Sequence, residues 1–331
     1  MWLLHYERKY KTMSKKYKQA DLALGGAVRN KKPLGQRIWN SRGYYLMFLP
    51  VFIFVIIMYY WPMLGVRYSF YSYKLKNIHW VGIENFQTMF AKAEFWSALK
   101  NTLIISIAKL LINTFAAVII SVFLNEMGNI IAKKAFQTVI YLPHFMSYAV
   151  VAAIFTLFLS NSSTGFINET LKEWGVISTS IDFLHSTKMW RPIFYLINMW
   201  KETGWGTVIF LATLAGINPE IYEAADIDGA TRLQKIWYVT VPELANTIII
   251  VLILNIAKVL NIFEPVFVLY NSRVYDVADV ISTYIYRQTF LQFIPDYGYT
   301  TAVGLFKSVV GGILMLLSNF ASKKVRGRGI I

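Results

Sequence analysis

Apolar stretches long enough to cross a bilayer are the feature that most constrains this chain. A helix rises about 1.5 Å per residue, so roughly 20 apolar residues span the hydrocarbon core. Only 15% of the 331 residues are charged, whereas a soluble domain carries about a quarter. The sequence therefore predicts an all-α polytopic membrane protein with six transmembrane helices, at approximately 44–66, 99–124, 135–159, 192–214, 246–270 and 301–320.

Positive charge is concentrated at the two ends of the chain. The net charge is +15, with eleven Lys/Arg in residues 1–43 and four in residues 321–331. Basic segments beside apolar runs mark the inner side of a membrane. With the N-terminus inside, the inner segments carry 19 Lys/Arg and the outer ones 9. We predict a basic cytoplasmic arm (1–43), a transmembrane domain (44–320) and a basic cytoplasmic tail (321–331), with no nucleic-acid partner.

Several chemical functions lack their usual residues. The chain has no cysteine and only four histidines, and these histidines lack the spacing of metal ligands. It also lacks the glycine-rich G-x-x-x-x-G-K-[ST] loop that cradles ATP phosphates. The sequence therefore predicts no catalytic residue, no metal site and no cofactor bound by this chain.

The segment 215–245, which joins the fourth and fifth predicted spans, contains strong helix signals. Asn218 suits an N-cap and Pro219 the first helical position. Gly229 can adopt the left-handed conformation that ends a helix. A second short helix is expected from about Thr231, and Pro242 is expected to open the fifth span. Taken alone, this pattern fits a solvated helical hairpin.

The same segment resembles a known motif. Glu223-Ala224-Ala225, then Gly229, then Val239-x-Val241-Pro242, is similar to the E-A-A-x3-G-x9-I-x-L-P motif of ABC importer permeases, with valine at the two branched positions. The first span and the residues after it also resemble the maltose-type permease family, particularly its branch for larger oligosaccharides. The resemblance covers roughly residue 44 to the end and implies the type I ABC importer permease fold.

The resemblance also implies partners. These are a second homologous permease forming a heterodimer, a cytoplasmic ABC ATPase dimer that binds ATP and Mg, and an extracellular solute-binding protein, all at a bacterial plasma membrane. The chain itself is then not an enzyme. The residues implied to contact the ATPase are Glu223, Ala224, Ala225, Asp228 and Gly229.

Lysines within the predicted spans need a further explanation. Charge at the centre of a membrane helix costs about 2.5–3.5 kcal/mol on insertion scales. Lys307 can snorkel, but Lys109, Lys201 and Lys258 lie near the middle of their spans and should face an aqueous cavity or a partner. The candidates for a substrate pathway are Asn198, Trp200, Lys201, Trp205, Asn255, Lys258, Asn261 and Lys109.

Helical spacing groups these candidates. Asn198, Lys201 and Trp205 share one face of the fourth span, where Gly204 and Gly206 are expected to loosen the helix. Amide and ammonium groups beside tryptophan suit sugars. Three deep lysines suggest an anionic solute, such as a uronate-containing oligosaccharide.

A second group is expected on the fifth span. Asn255, Lys258 and Asn261 fall on one helical face, and Pro265 predicts a kink there. Two simpler alternatives stay open. The lysines could form ion pairs, Lys201 with Glu202 of a neighbour and Lys258 with Glu264, or they could pair with the second permease.

The sequence thus predicts the permease subunit of an ATP-driven oligosaccharide importer, coupled to its ATPase through the EAA loop. An ion-coupled secondary transporter acting without an ATPase is the alternative, although the internal repeats common in such proteins are not evident. A membrane-embedded enzyme would need clustered acids, histidines or cysteines, which the sequence does not show.

Overall fold

The computed structural model describes residues 33–75, 77–162 and 165–326. It is mainly helical, as predicted, and divides into two compact units, residues 1–64 and 65–331. In the first unit the helices are α1 (Leu34–Asn40), α2 (Arg42–Val55) and α3 (Trp61–Met63), with a π-helical turn at Ile56–Tyr60. The second unit contains β1 (Tyr71–Lys74), β2 (Asn77–Trp80), α4 (Glu84–Ala91), α5 (Ala93–Asn125), α6 (Ile130–Tyr141), α7 (Tyr148–Phe158), α8 (Phe166–Glu173), α9 (Trp190–Ala215), α10 (Pro219–Ile227), α11 (Arg232–Lys235), α12 (Val241–Ile256), α13 (Glu264–Phe267), α14 (Tyr275–Ala278), α15 (Ile281–Phe290) and α16 (Tyr297–Arg326).

The first predicted span is confirmed as a helical run. It extends over Arg42–Phe70, 29 residues with a mean hydropathy of 2.0. No side chain of α2 is buried among the described residues. The predicted arm, residues 1–43, lies largely outside the described residues.

A small β-hairpin follows, which the sequence did not predict. Strands β1 and β2 pair antiparallel, with Tyr71 opposite Trp80 and Lys74 opposite Asn77. The buried Asn85 amide of α4 donates to the carbonyl oxygens of Ser69 at 2.9 Å and Tyr71 at 2.8 Å. These bonds join the hairpin to α4.

Helices α5 and α9 pack together along the centre of the second unit. Helix α5 confirms the second predicted span. Helix α9 confirms a helix at the fourth, whose crossing of the membrane stays a prediction. Gly204 and Gly206 lie within the unbroken α9, so the predicted loosening is wrong. A Cβ on Gly204 would overlap the backbone carbonyl of Ile140 on α6, and one on Gly206 would lie 3.1 Å from the Ala117 Cβ on α5. The two glycines therefore allow close helix packing.

The third predicted span is broken at Pro143. Helix α6 passes into a 3-10 turn at Leu142–Phe145, and α7 then departs at an angle of 101°. Ser147 caps α7 by accepting a hydrogen bond from the Val150 N–H at 3.2 Å. The break interrupts the helical hydrogen bonding and leaves carbonyl groups for other donors.

The fifth predicted span is wrong at its C-terminal end. The helix runs continuously over Arg232–Ile256, through a π-helical turn at Ile236–Thr240. Residues 257–260 then form turns, with the Asn261 N–H donating to the Lys258 carbonyl. Pro265 lies in the first turn of α13, where proline is tolerated, so the predicted kink is an end of the helix instead. Consequently Asn255, Lys258 and Asn261 do not share one helical face.

The sixth predicted span is confirmed within α16. Among the described residues, four helices are long and apolar enough to cross a membrane, or five if the bent α6–α7 pair counts as one span. Helix α9 is also long, at 26 residues, but carries Arg191, Lys201 and Glu202. The chain is a multi-pass membrane protein, and the count of six spans stays a prediction.

A polar network joins the N-terminal parts of α5 and α9. Arg191 donates to the Asn101 side chain at 2.7 Å, and Asn101 donates to the Asp279 carbonyl at 3.1 Å. The Asp279 carboxylate accepts from Thr283 at 2.6 Å and Arg287 at 2.8 Å. Burial raises the pKa of Asp279, an effect that these two hydrogen bonds oppose. The network ties both central helices to α14 and α15.

Candidate functional site

A buried lysine lies near the middle of α9. Only 4% of Lys201 is exposed. Its Nζ donates to the His144 carbonyl at 3.1 Å and to Glu202 Oε1 at 3.2 Å, and lies 4.4 Å from the centre of the Tyr148 ring. The His144 carbonyl lies in the turn that follows α6, where the break in the helix leaves it free to accept from a side chain. Lys201 is therefore stabilised by a carbonyl, a carboxylate and an aromatic face.

Glu202 is the hub of this group, which we call the Lys201 cluster (Lys201, Glu202, His144 and Tyr148). Its Oε1 also accepts from the Tyr148 hydroxyl at 2.7 Å, and its Oε2 lies 3.1 Å from His144 Nδ1. Lys201 and Glu202 pair within one chain, so the ion pair left open as an alternative forms without a neighbour's Glu202. About a quarter of the Glu202 side chain, 24%, is exposed, so a ligand can reach the edge of the cluster.

The predicted face of α9 (Asn198, Lys201 and Trp205) contacts His144 and Tyr148. Asn198 is fully buried, and its Oδ1 accepts from Tyr148 at 3.4 Å. Trp205 stacks on the His144 ring, with centroids 5.0 Å apart and planes 7° from parallel. Because Trp205 is still 54% exposed, it offers an open aromatic face beside the ion pair.

The other pathway candidates are placed differently. Trp200 packs edge-on against Phe155 of α7, with centroids 5.5 Å apart. Lys109 on α5 is half-buried and interacts electrostatically with Glu202 and Lys201. The remaining three, Asn255, Lys258 and Asn261, are exposed. Lys258 and Glu264 form no ion pair in the part of the chain that the structure describes.

Two members of the cluster were missed from the sequence. His144 and Tyr148 lie beyond the break in the third span, and their contact with α9 depends on the 101° bend. The available signal was a lone histidine beside Pro143 at membrane depth. The described residues contain no group of three or more His, Cys, Asp or Glu able to hold a metal, and the cluster is suited to binding anions and sugar rings.

A cavity begins next to the cluster. It has a volume of about 620 Å³ and follows α7 from Ala149, adjacent to Tyr148, as far as Ser160. Its walls are mostly small side chains, including Ala152, Ala153 and Thr156. Small residues leave space along α7 for a ligand or for another protein.

The second candidate region, the coupling segment (residues 218–241), forms the capped helix that the sequence predicted. Asn218 Oδ1 accepts from the Glu220 N–H at 3.2 Å, and Pro219 is the first residue of α10. Gly229 has a φ of +73°. The Ala230 N–H donates to the Ala225 carbonyl at 2.9 Å. This geometry ends a helix at a left-handed glycine.

The second helix of the segment is not separate, contrary to the prediction. Thr231 and Gln234 form a capping box, and the helix continues through the π-turn into α12. Lys235 pairs with Asp226 at 2.6 Å, and the Tyr222 hydroxyl is 3.0 Å from Thr240 Oγ1. These contacts hold α10 against the start of the fifth helix.

The predicted contact residues lie on the surface of the coupling segment. Glu223, Ala224, Asp228 and Gly229 are exposed, and Ala225 is half-buried. Ile227 between them is 87% exposed. Small and apolar side chains at a helix surface allow another protein to approach closely.

Relatives of known description cover most of this chain. Protein LplB of Bacillus subtilis (strain 168) is 39% identical over 86% of this chain and 90% of its own length. The polygalacturonan/rhamnogalacturonan transport system permease protein YteP of the same organism is 36% identical over 91% and 94%. Among solved structures, a chain of a bacterial ABC transporter involved in the import of the acidic polysaccharide alginate matches with a TM-score of 0.81 and 36% identity, covering 89% of this chain and all of that one.

These similarities favour an ABC transport permease over a self-sufficient secondary transporter. Residues 117–327 match the model of the family described as binding-protein-dependent transport system inner membrane component. This match includes the coupling segment, α9 and the C-terminal part of α5, from Ala117 onward. The chain therefore belongs to the family of binding-protein-dependent transport system inner membrane components and is a membrane-spanning transport subunit, not an enzyme.

Proposed function

We propose that this chain is a permease subunit of an ATP-driven importer for oligosaccharides that carry carboxylate groups. The observation that carries the proposal is the Lys201 cluster, a cation held in a membrane helix beside an exposed tryptophan. Two proteins similar to this chain, described as a polygalacturonan/rhamnogalacturonan transport permease and a transporter for the acidic polysaccharide alginate, support it.

The chemistry of the cluster fits such a solute. A carboxylate of the sugar can replace Glu202 as the partner of Lys201, while Glu202 keeps its bonds to Tyr148 and His144. Lys109 adds a second cation near this position. The C–H face of a pyranose ring can pack on the exposed face of Trp205. Charge complementarity then selects an anionic solute.

We assign the remaining candidates to the edges of the pathway. Trp200 and the exposed Asn255, Lys258 and Asn261 are proposed to line it together with the second permease. A heterodimer with a homologous permease supplies the other half of the cavity, and an extracellular solute-binding protein delivers the oligosaccharide. Both termini are cytoplasmic in the bacterial cell membrane, with basic segments at 1–43 and 321–331.

The coupling segment is proposed to dock on an ABC ATPase dimer, which binds ATP and Mg. The contact residues are Glu223, Ala224, Ala225, Asp228 and Gly229. Helix α9 carries Lys201 at its middle and ends at Ala215, three residues before the cap of α10. A hydrogen bond of 3.0 Å between Thr213 and Thr247 joins α9 to α12. Tilt of α10 can therefore reach both helices as a rigid-body movement.

The energy source tests the transport proposal. The complete transporter, reconstituted in vesicles with its binding protein, is expected to take up a labelled oligogalacturonate only when ATP is supplied. Removing ATP while keeping a proton or sodium gradient should stop uptake. A methyl-esterified oligogalacturonate, which lacks the charge, should enter at least about tenfold more slowly, the loss expected for about 1.4 kcal/mol. Uptake driven by the gradient alone would contradict the proposal.

Glu223→Lys tests the docking surface. The Glu223 side chain is exposed and makes no hydrogen bond or ion pair with the described residues, so the exchange should leave the permease stable. It reverses the charge that faces the ATPase, and we expect the ATPase to be lost on affinity purification. The matched control is Glu173→Lys on α8, an exposed glutamate on the predicted outer side. Normal ATPase stoichiometry in Glu223→Lys would count against the assignment.

A further inference from the structure

An apolar groove runs between α5 and the helical run Arg232–Ile256, away from the Lys201 cluster. Its volume is about 820 Å³. One wall is formed by residues of α5, among them Leu111, Phe115 and Ile119, and the other by Trp237 and Leu252. Both walls belong to helices long and apolar enough to cross a membrane. The groove therefore faces the membrane interior for most of its length.

The described residues leave this groove open to the outside. Phe115 is 69% exposed and Trp237 is 66% exposed. The lining residues Val118, Val122 and Ile248 pack on a buried core that includes Ala117, Leu214 and Leu244. On α5 the exposed residues recur at every fourth position, which makes one continuous stripe along the helix. The result is a preformed apolar groove that is open along one side.

The groove is longer than the hydrocarbon region of one leaflet and shorter than that of the whole bilayer. From Leu111 to Glu126 the helix rises about 22 Å, at about 1.5 Å per residue. Half of a hydrocarbon core of about 30 Å is about 15 Å, so a groove that starts at the midplane ends at headgroup level beside Glu126. A helix from another protein would need to cross the full core. The groove is therefore long enough for an acyl chain and too short to house a whole membrane span.

Charged residues occur at only one end of the groove. Glu126 and Arg232 line the mouth, and the opposite end is aliphatic. Within the described parts of the chain, neither side chain forms an ion pair, with each other or with a third residue. A headgroup with a phosphate and an ammonium can satisfy both, because Arg232 donates to phosphate and Glu126 accepts from ammonium.

We propose that this groove binds one phospholipid with a zwitterionic, ammonium-bearing headgroup, phosphatidylethanolamine, whose acyl chain lies along α5. The headgroup then contacts α11, the first helical turn after Gly229. A lipid at this position braces the junction between the coupling segment and the fifth helix. The proposal does not depend on which solute is carried.

Photo-cross-linking tests the location of the lipid. The complete transporter is placed in nanodiscs that contain phosphatidylethanolamine with a diazirine in its acyl chain, and labelled peptides are mapped by mass spectrometry. We expect the label on α5 and on Arg232–Ile256. Ile119→Trp fills the groove and should lower this labelling about tenfold, equivalent to about 1.4 kcal/mol. The control Ile107→Trp changes another exposed residue of α5 outside the groove and should not.

The headgroup is tested by competition in the same nanodiscs. Unlabelled phosphatidylethanolamine should displace the probe better than phosphatidylglycerol, and Arg232→Gln or Glu126→Gln should remove this preference. The control Lys133→Gln changes a basic residue outside the groove, in the predicted inner segment 125–134. It should keep the preference for phosphatidylethanolamine. Equal labelling of Ile119→Trp and the unmodified chain would overturn the proposed lipid site. An unlabelled groove that is covered by a helix of another protein would overturn it as well. Equal displacement by the two lipids would overturn the headgroup assignment.

Discussion

Lys201→Met is expected to reduce the maximal uptake of an acidic oligosaccharide by about a hundredfold or more. Removing one member of a buried charge pair costs about 2–5 kcal/mol, and about 2.7 kcal/mol corresponds to a hundredfold. The exchange leaves Glu202 without its cation and removes the proposed partner of the sugar carboxylate. Uptake of labelled oligogalacturonate into vesicles, at saturating ATP, measures the effect.

A double variant separates this role from a structural one. Lys201→Met alone should also lower the thermal stability of the permease, because Glu202 is left unpaired. Adding Glu202→Gln removes both charges and should recover most of the stability. Uptake should remain low, since the cation proposed to pair with the sugar carboxylate is gone and only Lys109 remains near this position. If the double variant transports acidic oligosaccharides at the normal rate, Lys201 is only a structural residue.

Gly204→Ala is expected to destabilise the permease by about 1–3 kcal/mol, the usual cost of overpacking. The new Cβ would lie 2.7 Å from the Ile140 carbonyl carbon and overlap its oxygen. Both are backbone atoms, so α6 would have to move away from α9. The break that positions His144 follows directly after α6, so uptake should fall together with stability. Fluorescence-detected size-exclusion chromatography after heating measures the loss of folded protein.

Gly304→Ala on α16 is the matched control. A Cβ at Gly304 meets nothing within 4 Å, and alanine is favoured over glycine in a helix by about 1 kcal/mol. The control should therefore be as stable as the unmodified chain or more stable. Equal midpoints of thermal unfolding for the two alanine variants would show that α6 is free to shift and that close packing at Gly204 is unimportant for stability.

Local signals in the sequence were sufficient for much of the fold. Runs of apolar residues predicted the helices at Arg42–Phe70, Ala93–Asn125 and Tyr297–Arg326, because a bilayer requires continuous helical hydrogen bonding. Asn218, Pro219 and Gly229 predicted both ends of α10. Each signal acts through the backbone of its own segment, so it can be read without knowing the neighbours.

Other features depended on contacts between distant segments. Gly204 could be a flexible point or a point of close approach, and only the position of Ile140 decides which. The fifth helix ends at Ile256 although apolar residues continue beyond it. Hydropathy reports that a segment is buried and does not report where its helix stops. The hairpin at Tyr71–Trp80 likewise depends on bonds from Asn85 on α4.

The sequence by itself determined that the chain crosses a membrane, that a capped helix joins α9 to the fifth helix, and that lysines lie at membrane depth. Only the tertiary structure decided what surrounds those lysines. Lys201 is held by His144 and Tyr148, more than fifty residues away along the chain, because α6 and α7 bend by 101° beside α9. Lys258 remains exposed because its helix has already ended. A buried charge is stabilised by whichever groups the fold brings to it, and spacing along the sequence does not specify those groups.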